Sequence, residues 1–131
     1  YLTVEQMARK YGIEKYIINH GKLFGDKLDE VFNQCVFAIG SLGRHRSGIT
    51  EIKTLKNREY AARGISFIYS ENDSDFENMP YIIKALADES PINVKEIINY
   101  IDTRNIDPAD IRRTVEHLSW KYQMEKVITE I

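Results

Sequence analysis

The chain has 131 residues, 43% of them hydrophobic and 29% charged, with a net charge of −2. That length buries a core of its own, and the apolar share, with only seven glycines and three prolines, excludes a disordered chain. The acidic balance excludes a field that gathers nucleic-acid phosphates, and the single Cys35 excludes an internal disulfide and a cysteine zinc cage.

No apolar run approaches the length of a membrane span and no signal peptide is visible, so a reducing, cytoplasmic setting is expected. The chain begins at Tyr1 without methionine and is read as a piece of a longer polypeptide.

The first predicted element is a helix over 3–11, with Thr3 as N-cap and Gly12 as stop. A short strand is predicted over 16–21, where Ile17 and Ile18 are β-branched. Gly25-Asp26 opens a second helix, with Leu28, Val31 and Phe32 at helical spacing. The run 35–41 is apolar without alternation, as in a parallel strand covered on both faces.

A helix follows over 54–63, then a Gly64 stop and a buried strand over 65–69. Glu71, Asn72, Asp73, Asp75 and Glu77 make 70–78 a solvated loop, without the glycine and spacing of a calcium site. The segment 81–87 suits strand or helix equally. Helices are predicted over 94–101 and from Asp107-Pro108, with Ile111, Val115 and Leu118 continuing an apolar stripe, and a last stretch over 120–131. Strands alternating with helices predict an α/β, Rossmann-like fold with a mostly parallel sheet, helices on both faces and a helical C-terminal segment.

In such sheets ligands bind beyond the carboxyl ends of the strands. Gly40-Ser41-Leu42-Gly43-Arg44-His45-Arg46 leaves a strand there, with a composition suited to contacting an anion. Next come Glu51 and Glu59, separated by seven residues, the first in a loop and the second on a helix. At about 1.5 Å of rise per residue they fall roughly 8–12 Å apart, with the helix N-terminus between them. A sugar–diphosphate–ribose ligand needs polar contacts at both ends and a positive site in the middle.

These residues resemble the C-terminal, nucleotide-sugar-binding domain of retaining GT-B glycosyltransferases of bacterial polysaccharide assembly. The likeness rests on Glu51, seven residues, Glu59, then Tyr60-Ala61-Ala62-Arg63-Gly64-Ile65, preceded by Ile39-Gly40-Ser41-Leu42-Gly43-Arg44-His45-Arg46. Val31-Phe32-Asn33-Gln34-Cys35 and Leu118-Ser119-Trp120 extend it over nearly the whole chain.

The resemblance implies that Glu51 bonds donor-sugar hydroxyls as the catalytic-site carboxylate and that Glu59 holds the ribose. Backbone amides around Lys53, Thr54 and Leu55 meet the diphosphate, with charge added by Lys53, Lys56, Arg44, His45 or Arg46, and Ser41 lies alongside. No metal is expected. The implied partners are a nucleotide-sugar, a glycan or lipid-linked acceptor and an N-terminal domain of the same polypeptide, with peripheral membrane association of the full enzyme.

The chain departs from the family at Ile52, where a small residue is usual, and at Ser66, where proline is usual. It also lacks counterparts of the opening two βα units. Residues 1–131 are therefore expected to be the donor-binding part of a two-domain enzyme, inactive in isolation. Two other classes stand beside this: a Rossmann-like nucleotide-binding regulatory module, and a helix-turn-helix DNA-binding protein suggested by residues 2–13.

Overall fold

The computed structural model describes residues 2–129; residues 130 and 131, the end of the last predicted stretch, lie outside the described residues. The chain divides into two compact units between Asn33 and Gln34.

The first unit opens with α1 (Val4–Tyr11), set by a reciprocal capping box. Gln6 N–H donates to Thr3 Oγ1 at 3.2 Å, and Thr3 N–H donates to Gln6 Oε1 at 2.9 Å. Gly12 ends the helix with φ 65°, as predicted. The strand predicted over 16–21 does not form: a single 3₁₀ turn covers Glu14–Tyr16, and residues 17–24 carry neither helix nor strand. Tyr16, Ile17 and Ile18 are all exposed. β-Branching favours a strand only where a pleated surface receives the side chains. Here Asn19 shapes a turn instead, accepting from Gly21 N–H at 2.9 Å and donating to Glu5 at 2.7 Å. Beyond that single 3₁₀ turn no α-helix stands between Glu14 and His20, where a helix-turn-helix needs its recognition helix. α2 (Asp26–Phe32) follows Gly25.

The second unit is α/β, built on a three-stranded parallel sheet of β1 (Ala38–Ile39), β2 (Phe67–Tyr69) and β3 (Ile82–Lys84), in that order. Ala38 pairs with Phe67 and Ile39 with Ile68; Phe67, Ile68 and Tyr69 pair with Ile82, Ile83 and Lys84. The chain passes from β1 to β2 through α3 (Leu55–Ala62), whose N-cap is Thr54. Gly64 stops it with φ 76°, and no side chain fits there because a Cβ would lie 2.7 Å from Pro108.

α4 (Val94–Thr103) follows β3, then α5 (Pro108–Thr114), capped by Asp107, and α6 (Trp120–Thr129). Phe67 and Tyr69 enter one core with Ala61 of α3, Ile111 of α5 and Val115 just after it. Ile68 points the other way and, with Ile83, lines a cleft against Asn93 and Glu96 at the start of α4. No helix among the described residues is long and apolar enough to cross a membrane.

Two expectations change in this unit. The run 35–41 yields only the two-residue β1, an edge strand with Cys35, Val36 and Ile39 exposed. Flanking helices concentrate on the central strand, so burial on both faces holds for β2 and not for the edge. The segment 70–78 is a solvated loop only in part, with Asn72, Ser74, Glu77 and Asn78 exposed. Glu71, Asp73 and Phe76 are each at most 1% exposed, because their carboxylates find buried partners and Phe76 joins the core.

Candidate functional site

The end of β1 and the end of β2 are stitched together past the sheet. Ser41 is buried, and its carbonyl accepts from Ser70 N–H at 3.1 Å. Further on, Ile52 N–H donates to Asn72 O at 2.8 Å and Asn72 N–H to Thr50 O at 2.9 Å. Those bonds bracket Glu51 in a parallel bridge with Asn72. Glu51 thus sits just beyond the carboxyl end of β2 and three residues before the α3 cap. It opens into a cleft of about 690 Å³ with Lys53, Asn72, Ser74, Glu77 and Asn78. Carboxylates, amides, a hydroxyl and an ammonium group around one opening are hydroxyl-binding groups of both polarities.

Along and behind that cleft runs an ionic network that the sequence did not reveal, buried at Asp73 and Asn57 and exposed at Lys53, Glu77 and Lys84. Asp73 accepts from Asn57 Nδ2 at 3.1 Å and from Arg58 Nη1 and Nη2 at 3.3 and 3.2 Å. Arg58 also pairs with Asp75, which lies 3.6 Å from Lys53 Nζ. Glu77 Oε1 accepts from Lys84 Nζ at 2.6 Å, Asp73 N–H at 3.0 Å and Tyr69 Oη at 3.1 Å. Burial, reinforced by this carboxylate, pushes the Tyr69 hydroxyl above the ordinary tyrosine range. Phe76, an aromatic residue amid the acids of 70–78, was the available signal that the segment turns inward.

Glu71 has a second task. Its Oε1 accepts from Arg44 N–H at 2.5 Å and His45 N–H at 3.1 Å, while Oε2 accepts from Ser70 Oγ at 2.8 Å. This clamps the 3₁₀ turn Arg44–Ser47 against the end of β2. From the turn, His45 Nε2 lies 3.1 Å from Glu89 Oε1, and Arg46 Nε donates to the same oxygen at 2.7 Å, with Nη2 on Oε2. Hydrogen bonds from Arg46 and His45 hold the Glu89 carboxyl down at about 2.

The remaining predicted residues fall around α3. Thr54 caps it, accepting from Asn57 N–H at 3.4 Å; Leu55 and Lys56 are exposed. Glu59 lies on the second turn, paired with Arg63 at 3.1 Å. It lines a different cleft, of about 580 Å³, with Leu55, Ala62, Arg112, Leu118 and Trp120. The two glutamates therefore open into separate clefts, Lys53 bordering one and Leu55 the other, with the start of α3 between them. Among the described residues no three His, Cys, Asp or Glu side chains are grouped to hold a metal ion.

Glu71 and Glu77 make stability depend on pH. Burial pushes both carboxyls upward, but their hydrogen bonds prevail and hold each below its ordinary 4.5. A carboxyl depressed in the folded state stabilises fully above its unfolded value, and that contribution fades as pH falls through the folded value. Urea unfolding should therefore show stability declining below about pH 4.5. Glu71→Gln should cost about 1–3 kcal/mol at pH 7 and make the acid decline shallower. An equally steep decline in the variant would remove Glu71 from the explanation.

No protein-family model, curated protein or solved structure matches the chain.

Proposed function

We propose that the chain is the donor-binding part of a retaining glycosyltransferase of the GT-B type, taking a nucleotide-sugar and serving cell-surface polysaccharide assembly. The observation that carries this is the placement of Glu51. Backbone bonds to Asn72 hold it beyond the carboxyl end of β2, in a cleft of hydroxyl-binding groups, directly before the start of α3. Parallel sheets bind ligands at that end.

In this assignment Glu51 bonds the donor sugar and Glu59, across the first turn of α3, bonds the ribose. The diphosphate lies over the turn between them, where Leu55 and Lys56 N–H groups start the helix and the dipole favours negative charge. As the glycosidic bond breaks, charge grows on the departing diphosphate and those amides stabilise it. The acceptor, a glycan or lipid-linked sugar, is supplied by an N-terminal domain of the same polypeptide.

Two substitutions in the complete enzyme test the roles. Glu59→Ala should weaken nucleoside diphosphate binding by about 1–3 kcal/mol, the scale for a charged hydrogen-bond acceptor. Glu51→Gln should depress sugar transfer while leaving nucleoside diphosphate affinity nearly intact. Calorimetry and a transfer assay separate the two. Unchanged affinity in the first and full transfer in the second would return both residues to ordinary surface carboxylates.

A further inference from the structure

The cleft at Glu51 has a second carboxylate, and the fold treats its two oxygens differently. Glu77 Oε1 is spent inward on three donors: Lys84 Nζ at 2.6 Å, Asp73 N–H at 3.0 Å and Tyr69 Oη at 3.1 Å. Oε2 takes no hydrogen bond among the described residues, on a side chain that is 37% exposed and lines the cleft. Lys84 is itself fixed, donating to Glu71 O at 2.9 Å with its ammonium 4.4 Å from the centre of the Tyr69 ring. The carboxylate is therefore anchored by one end and offers the other, an acceptor oriented before any ligand arrives.

The charges around the opening decide what suits it. Glu51, Lys53 and Glu77 line it, with Asn72, Ser74 and Asn78 as uncharged polar neighbours. Lys53 Nζ faces Asp75 at 3.6 Å, Lys84 faces Glu77, and Arg58 behind them is shared by Asp73 and Asp75. Each of these three cations has a carboxylate to match it, which leaves Glu51 as the unbalanced charge among the described residues. A ligand that brings hydroxyl donors is paired at both cleft carboxylates. One that brings a carboxylate of its own meets Glu51 and Glu77 as like charges.

We propose that Glu77 is a specificity-determining residue: its Oε2 accepts from a hydroxyl of the sugar that Glu51 bonds, and selects an uncharged, hydroxyl-bearing sugar over a sugar acid. This rests on the donor-site reading above and adds to it the class of donor that the cleft takes. An anchored acceptor discriminates sharply, because a ligand without a matching donor leaves it desolvated and unpaired.

Calorimetry on the complete enzyme tests it. UDP, GDP, ADP and dTDP are titrated first, and the glucose and glucuronate esters of the tightest binder follow. The glucose ester should bind at least about tenfold more tightly than the glucuronate ester. Glu77→Gln keeps an oxygen for Lys84, Asp73 and Tyr69 but turns an amide donor toward the cleft. It should weaken the glucose ester about tenfold, leave the nucleoside diphosphate unchanged, and bring the two esters close to equal affinity. Tyr69→Phe removes one bond to Oε1 and leaves Oε2 in place, so it should lower the urea midpoint and preserve the preference. Circular dichroism verifies that both variants are folded.

No preference for the glucose ester in the parent, an unchanged preference in Glu77→Gln, or the same shift in Tyr69→Phe would overturn the proposal. Any of these, with the nucleoside diphosphate still bound, leaves the donor-site reading standing. Failure of all four nucleoside diphosphates to bind would remove that reading, and the role of Glu77 with it.

Discussion

Asp73→Ala should lower the unfolding free energy by about 3 kcal/mol, toward the lower end of the range for breaking a buried ion pair. Asp73 is fully buried, and both of its oxygens are engaged by Arg58 and Asn57, with Asp75 N–H adding a bond at 3.4 Å. Its removal strands a guanidinium whose side chain is only 19% exposed and an Asn57 amide that is fully buried. Arg58 keeps Asp75 and its seat over the Phe76 ring, 5.5 Å from the centroid, which is why the loss is not larger.

Arg58→Met in the Asp73→Ala background should recover part of the loss, because no unpaired charge is then left inside. Guanidinium unfolding of the three proteins measures this. An Asp73→Ala midpoint within error of the parent would mean that water already serves the network. The substitution should also loosen the Glu51 cleft, since Ser74 and Glu77 line it from the same segment.

Phe67→Ala should cost about 3–5 kcal/mol, the loss expected when a buried aromatic side chain leaves a cavity. Phe67 is fully buried in the central strand and touches four other rings. The centroids of Tyr60, Tyr69, Phe76 and Tyr81 lie 5.8, 5.9, 5.3 and 6.2 Å away, with Phe76 edge-on. These belong to α3, β2, the 70–78 segment and the approach to β3, so they cannot all close on the void together. Phe67→Leu, which fills most of the volume, should lose markedly less. Thermal and denaturant unfolding compare the two. Equal losses would show that edge-to-face ring contacts, rather than volume, dominate at this position.

Much of the local structure could be read along the chain, because the forces involved act within a turn or a strand. Thr3 with Gln6, Thr54, Asp107-Pro108, Gly12 and Gly64 each set a helix end through groups no more than a few residues away. The apolar runs that became β1 and β2, and their parallel pairing across α3, followed from composition and from the helix between them. That Glu51 falls in a loop ahead of α3 was visible for the same reason, but its bridge to Asn72 past the end of β2 was not.

What tertiary structure alone decided is where side chains are buried and which of them meet. Ile17 and Ile18 have strand-forming chemistry, but no surface receives them, so 16–21 follows the turn preference of Asn19 and Gly21. Glu71 and Asp73 have the composition of a solvated loop. Their burial depends on Ser70 and the Arg44–His45 amides in one case, and on Asn57 and Arg58 in the other. Glu89 meets His45 and Arg46 across more than forty residues of sequence. A charge is solvated or internal according to partners that only the folded chain brings within 3 Å or so, and the free energy of a carboxylate turns on that difference. Glu51 and Glu59 show the same limit in the site itself: their spacing along the chain was plain, but the turn of α3 that divides their clefts exists only once the helix is packed.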